Sequence, residues 1–115
     1  MKTTNNYFPE YTSIKVENLA SRRSGEPVKN QFCIYDRTNY TRIFQSYDTI
    51  CLRYDWLCKV LTVYPAAFGY SMTTSKYSRL FLEDCCGFTS EEVDEVKRLV
   101  KASSFGDDCP LYIQR

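Results

Sequence analysis

Residues 30–64 read NQFCIYDRTNYTRIFQSYDTICLRYDWLCKVLTVY, and this stretch decides the fold. Phe32 and Ile34 alternate with Cys33 and Tyr35 as far as Asp36, where Arg37-Thr38-Asn39 makes a turn. The alternation resumes from Arg42, with Ile43, Gln45 and Tyr47 on one face and Phe44 and Ser46 on the other. Tyr47-Asp48 allows a tight reversal, after which Ile50, Leu52 and Tyr54 share a face opposite Cys51 and Arg53. Asp55 to Cys58 closes another hairpin into Lys59-Val60-Leu61-Thr62-Val63-Tyr64. Period-two alternation broken by regular turns is the pattern of an antiparallel meander. Both faces carry apolar side chains, so one face is expected to pack on helices and the other to be only partly wet.

Beyond the meander the period changes. Pro65 to Gly69 interrupts the alternation, and Ser71, Thr73, Thr74 and Ser75 offer hydroxyls able to cap a helix. Tyr77, Leu80, Phe81 and Cys85 then recur at helical spacing, with Leu82 on the flank, until Gly87. Thr89 and Glu92 have the capping-box spacing for a second helix with the apolar stripe Val93, Val96, Leu99 and Val100. Before the meander, residues 1–19 hold the β-prone pieces Tyr7-Phe8 and Ile14-Lys15-Val16, an edge strand or a clamped arm. Ser21 to Pro27 reads as a surface loop. The expectation is one α+β domain over 1–115. An antiparallel meander of about four strands in 30–64 packs against two C-terminal helices in 73–102. Residues 103–115 are a tail in which Leu111-Tyr112-Ile113 is a candidate last strand.

Composition narrows the function more than it names one. With 43% apolar and 25% charged residues in 115, the chain is neither disordered nor collagen-like. It has no apolar run of membrane-spanning length and no signal-peptide core near Met1, so a cytoplasmic protein with no membrane partner is expected. In a reducing compartment the six cysteines read as buried thiols, since none has C-x-x-C spacing. There is no histidine, which removes the commonest general base and metal ligand. No phosphate-binding loop or dinucleotide fingerprint is present. The acid pairs Glu83-Asp84, Glu91-Glu92 and Asp107-Asp108 are sequence neighbours, whereas two-carboxylate chemistry needs a pair held across a pocket. No catalytic residue, cofactor or metal is expected. Binding is the default.

The net charge of +1 hides a division: residues 1–80 hold 11 Lys and Arg against 6 Asp and Glu, and residues 81–115 hold 4 against 8. The plain reading is a solvated acidic helix; the sharper one is two patches for partners. On the basic side Lys76 and Arg79 share a helical face, with Arg22 and Arg23 in the loop as the next candidates. On the acidic side stand Glu91, Glu92, Asp94 and Glu95, and Tyr47 is a candidate exposed ring. Arginine and tyrosine are favoured at protein interfaces, so protein binding leads. Nucleic-acid binding is the alternative, through Arg22, Arg23, Lys29, Arg37, Arg42, Arg53, Lys76 and Arg79 with the rings of Tyr35, Tyr40, Phe44, Tyr47 and Tyr54 nearby. Tyrosines are favoured in strands anyway, and a pI of about 7.5 lacks a dedicated binder's basic footprint.

Three blocks in order resemble a family of small uncharacterised bacteriophage and prophage proteins: Ser21 to Phe32 (SRRSGEPVKNQF), Phe44 to Ile50 (FQSYDTI), and Tyr70 to Tyr77 (YSMTTSKY) followed by Phe81-Leu82. The resemblance covers about residues 20–82; the longer N-terminal arm, Pro65 to Gly69 and the acidic stretch from Glu83 depart from it. It implies a phage or mobile-element origin and a site of action in the cytoplasm of a bacterial host. It implies no reaction. Small phage proteins of this kind often act by binding, and the expectation is an anti-CRISPR-like inhibitor of a host defence nuclease, in which the acids from Glu91 to Glu95 occupy a basic nucleic-acid channel. A nucleic-acid-binding phage accessory protein is the alternative.

Overall fold

The computed structural model describes residues 13–69, 71–103 and 110–114. Six strands, β1 (Ile14–Ala20), β2 (Pro27–Asp36), β3 (Thr41–Ser46), β4 (Thr49–Asp55), β5 (Val60–Val63) and β6 (Leu111–Gln114), form one antiparallel sheet in the order β1-β2-β3-β4-β5-β6. Between β5 and β6 lie a short α1 (Ala66–Gly69), α2 (Met72–Leu80), a π-helical segment Phe81–Cys85, and α3 (Ser90–Ala102). The class is α+β with helices after the meander, as the periodicities imply. The strand count is not four but six. Ile14-Lys15-Val16 becomes part of edge strand β1, and Leu111-Tyr112-Ile113 becomes edge strand β6. Such short pieces carry little alternation of their own and gain a place only by pairing with β2 and β5. Tyr7-Phe8 and Cys109 lie outside the described residues.

Side-chain chemistry sets the turns. Asp36 accepts from the Asn39 backbone and side chain, and Asp55 accepts from the Leu57 and Cys58 N–H groups. Tyr40, Tyr47 and Lys59 take positive φ at the ends or middles of these reversals. In β4 the register against β3 shifts between Phe44 and Gln45, which makes Cys51 the extra residue of a bulge. Cys51 and Leu52 are therefore both buried, and Ile50 pairs with Gln45 and turns outward instead of sharing a face with Leu52.

One face of the sheet carries a cross-strand row of Cys33, Phe44, Leu52, Val63 and Leu111. Against it pack Ala67, Leu80, Phe81, Leu82, Val93 and Val96 from the helical layer. Phe44 stacks on Phe81 at 5.7 Å, and Tyr54 meets Phe88 edge-on at 5.3 Å. The opposite face holds Val16, Ile34, Ile43, Arg53, Thr62 and Tyr112 in one row, half-wet as expected.

Ser71 caps α2 by accepting from Thr74 N–H, and buried Ser78 donates to the Ala67 carbonyl and ties α2 to α1. Thr89 and Glu92 make both bonds of the capping box on α3. The helix expected through Cys86 changes type: Cys86 N–H donates to the Phe81 carbonyl, five residues back. That wider turn swings Leu82 off the flank and into the core, where it is fully buried. Gly87, at φ +75, ends the segment, and Phe88 N–H returns to the Leu82 carbonyl.

Truncation at the centre of this packing should show in chemical denaturation. Phe44→Ala is expected to cost about 3–5 kcal/mol, whereas Met72→Ala, at a site 90% exposed, should stay within about 0.5 kcal/mol.

Candidate functional site

The loop between β1 and β2 is closed on itself. Gly25 N–H donates to the Ser21 carbonyl at 2.7 Å, Ser21 N–H to the Glu26 carbonyl at 2.9 Å, and Arg23 N–H to Ser21 Oγ at 3.2 Å. Gly25 sits at φ +76, a conformation a side chain would strain. This tight loop presents Arg22 and Arg23 as neighbours over the α2 face.

The π-helical segment supplies their counter-charges. Arg22 Nη2 donates to Glu83 Oε1 at 2.6 Å and to Asp84 Oδ1 at 2.8 Å. Arg79, one helical turn before Glu83, reaches Glu83 Oε2 at 3.1 Å through Nε and Asp94 Oδ1 at 2.9 Å through Nη1. Ser90 Oγ donates to the same Glu83 oxygen at 3.3 Å. One carboxylate thus joins the loop, α2 and the start of α3, and its side chain is only 11% exposed. The Arg22 guanidinium, and then the charge of Arg79, hold the Glu83 carboxyl below its ordinary value.

Around this joint lies a cleft of about 490 Å³ lined by Ser21, Arg22, Arg23, Lys76, Tyr77, Arg79 and Leu80. The two basic pairs marked in the sequence converge on it. Lys76 and Arg79 also wall a second depression of about 580 Å³ with Met72, Ser75 and Lys97. Lys76 Nζ lies 5.3 Å from the Tyr77 ring centroid. Arg23, Lys76 and Lys97 make no ion pair among the described residues, so the charge left for a partner is theirs. Lys97 stands three residues after Asp94, and the tertiary Arg79–Asp94 pair places α3 beside the second depression that Lys97 lines, next to the cleft.

The other marked residues fall elsewhere. Tyr47 lines a separate pocket of about 180 Å³ with Ser46, Thr49, Cys51, Ala66 and Thr74. Its φ of +57 is unusual for an aromatic residue. Its N–H donates to the Asn30 carbonyl at 2.7 Å, and its carbonyl accepts from Gln45 Nε2 at 2.6 Å. The four acids of α3 are mostly committed within the chain. Glu92 accepts from Thr89 N–H, Asp94 holds Arg79, and Glu95 accepts from Arg98 Nε at 2.8 Å. Glu91 is exposed.

A second cationic corner gathers Arg37, Arg42, Tyr35 and Tyr40 of the nucleic-acid alternative and adds Trp56, which that reading did not include. The Arg42 guanidinium lies 5.5 Å from the Tyr35 ring centroid and 5.7 Å from that of Trp56, and Tyr40 meets Trp56 edge-on at 5.4 Å. Tyr35, Arg37, Arg42 and Trp56 line a pocket of about 380 Å³ together with Lys15, Glu17, Asp36 and Thr41. Trp56 reads in sequence only as a residue of a hairpin turn. Among the described residues no three Cys, Asp or Glu side chains converge as a metal-ligand set, and no helix is long and apolar enough to cross a membrane.

The arrangement is therefore a surface suited to binding anions, built on an antiparallel meander with a helical layer. Residues 4–98 match the model of a family of unknown function, DUF8033, and the chain belongs to that family. The matched segment includes every cation of the cleft. No curated protein and no solved structure matches the chain.

Because its folded-state value is lowered, Glu83 contributes stability that is complete at neutral pH and is lost as pH falls through that value. Glu83→Gln should be less stable than the parent at neutral pH, and the gap should narrow as pH falls below the ordinary glutamate value of about 4.3. Urea titrations across pH check this; a gap unchanged from neutral to acid pH would contradict the joint.

Proposed function

We propose that the chain is a non-enzymatic binding protein whose working surface is the cleft formed by Arg22, Arg23, Lys76 and Arg79. The observation that carries this reading is the convergence of four cations from two distant segments on one cavity. With Arg22 and Arg79 engaged by Glu83, Asp84 and Asp94, the Arg23 guanidinium and the Lys76 ammonium are the groups that suit the cleft to a carboxylate-rich protein surface. Given the resemblance to phage proteins, the partner is a host defence nuclease of the CRISPR type. Carboxylates that hold catalytic metals in such enzymes are a chemically complementary target. The pairing of Asp94 and Glu95 within the chain argues for inhibition through the basic cleft rather than through an acidic mimic of nucleic acid.

One observation favours a second reading, binding of single-stranded nucleic acid. Arg42 between Tyr35 and Trp56, with Tyr40 alongside, combines charge with exposed rings.

Capture from bacterial host lysate and oligonucleotide titration separate the two. The triple variant Arg23→Glu, Lys76→Glu and Lys97→Glu leaves the Glu83 joint intact. It should release a nuclease that the parent chain both captures and inhibits, with affinity reduced about tenfold or more. Unchanged capture and inhibition would remove the cleft from the account. Oligonucleotide binding that falls steeply with salt and is lost in Trp56→Ala would select the second reading; no binding at low salt would end it.

A further inference from the structure

We propose that β1 is the self-association edge of the chain, pairing antiparallel with β1 of a second copy about a two-fold axis at Val16. β1 ends the sheet, and among the described residues only β2 is paired with it. An edge strand offers a row of backbone groups to any strand that fits. The phase of that row is fixed by the bond from Arg37 N–H to the Ser13 carbonyl. With Ile14 opposite Asp36, Ser13, Lys15 and Glu17 turn their backbone groups to β2, and Ile14, Val16 and Asn18 turn theirs to the open edge. The register runs unbroken from Ile14 to Asn18 and shifts after it. Val16 is the centre of that regular stretch.

Side-chain charge selects the occupant. A lone lysine protects an edge by repelling a second copy. Here Lys15 and Glu17 flank Val16 with opposite charges, their side chains 58% and 43% exposed and 2.9 Å apart. A two-fold axis at Val16 sets Lys15 of each copy opposite Glu17 of the other. These are non-hydrogen-bonded positions, where facing side chains come closest, and opposite charges there are favourable. On the outer face Val16, 58% exposed, meets Val16 of the second copy, and Ile14, 54% exposed, meets Asn18. Val16 exchanges backbone bonds with its counterpart, and Ile14 does so with Asn18 on either side. The outer row of Val16, Ile34 and Ile43 then continues across the axis.

The charges work at one register. Moving the axis to Ile14 or to Asn18 keeps the backbone phase but takes Lys15 away from Glu17 of the other copy. The other open edge, β6, has four uncharged residues and lacks this pattern. Lys15 and Glu17 also line the 380 Å³ pocket with Arg42 and Trp56, so pairing sets the two copies of that pocket on either side of the axis.

Sedimentation equilibrium of the full chain tests this without any other partner. At about 100 μM the parent should run at twice its 13.5 kDa mass. Val16→Pro removes an N–H that β2 does not use, so it should keep the parent's circular dichroism and give a monomer. Lys15→Glu and Glu17→Lys should each be monomeric alone, because like charges then face each other across the axis. Mixed in equal amounts, these two variants should form a heterodimer, since the acidic strand of one faces the basic strand of the other. A chain carrying both changes should dimerise like the parent. A parent that stays at 13.5 kDa, a dimer untouched by Val16→Pro, or single-charge variants that fail to associate on mixing would each overturn the proposal. So would mass growing past two chains, the mark of head-to-tail pairing between β1 and β6.

Discussion

The π-helical segment Phe81–Cys85, closed by Cys86 N–H on the Phe81 carbonyl, carries apolar side chains into the core and acidic ones to the β1–β2 loop. Closing the turn over five residues instead of four widens the helix and rotates the residues after it. Phe81 and Leu82 enter the core, where Phe81 stacks on Phe44. Glu83 and Asp84 turn to the β1–β2 loop and hold Arg22. The Cys85 carbonyl accepts from Arg42 on β3. Segments of this kind recur at functional sites because they place side chains that a regular helix cannot.

The charge division along the sequence is bridged inside the molecule at two arginines. Basic residues from the first 80 positions meet acids from the last 35 at Arg22–Glu83, Arg22–Asp84 and Arg79–Asp94. Arg22 and Arg79 join the two charged regions as an internal clamp. Exposed ion pairs of this kind contribute little each, but a carboxylate shared by two guanidinium groups also fixes geometry. The clamp holds the loop against α2 and leaves Arg23, Lys76 and Lys97 to face outward. A near-zero net charge is thus compatible with a locally basic cleft.

Much of this fold was legible because its signals are local. Alternation and Asp-anchored turns marked β2 to β5, Thr89 with Glu92 marked the start of α3, and Ser71 capped α2 as its hydroxyl allows. The edges were legible only as candidates, an edge strand or arm at Ile14 to Val16 and a last short strand at Leu111 to Ile113, because their place in the sheet depends on pairing with β2 and β5. The bulge at Cys51 and the π turn at Phe81 were hidden because each is a one-residue departure that no residue type announces. Cys58, expected to be buried with the other cysteines, is exposed because the Asp55-capped turn carries it to the surface. For the site, Lys76 and Arg79 follow from helical spacing alone. Their union with Arg22 and Arg23 rests on contacts spanning about sixty residues, and Trp56 beside Arg42 is likewise a product of two turns meeting.

The claim on which the cleft depends is that Arg22 and Glu83 are energetically joined. A double-mutant cycle with Arg22→Ala, Glu83→Ala and the double variant, read by urea unfolding at neutral pH, measures that joint directly. With Glu83 shielded and Arg22 half-exposed, a favourable coupling of about 0.5–1 kcal/mol is expected. Losses that add with no coupling would contradict the clamp and the cleft built on it.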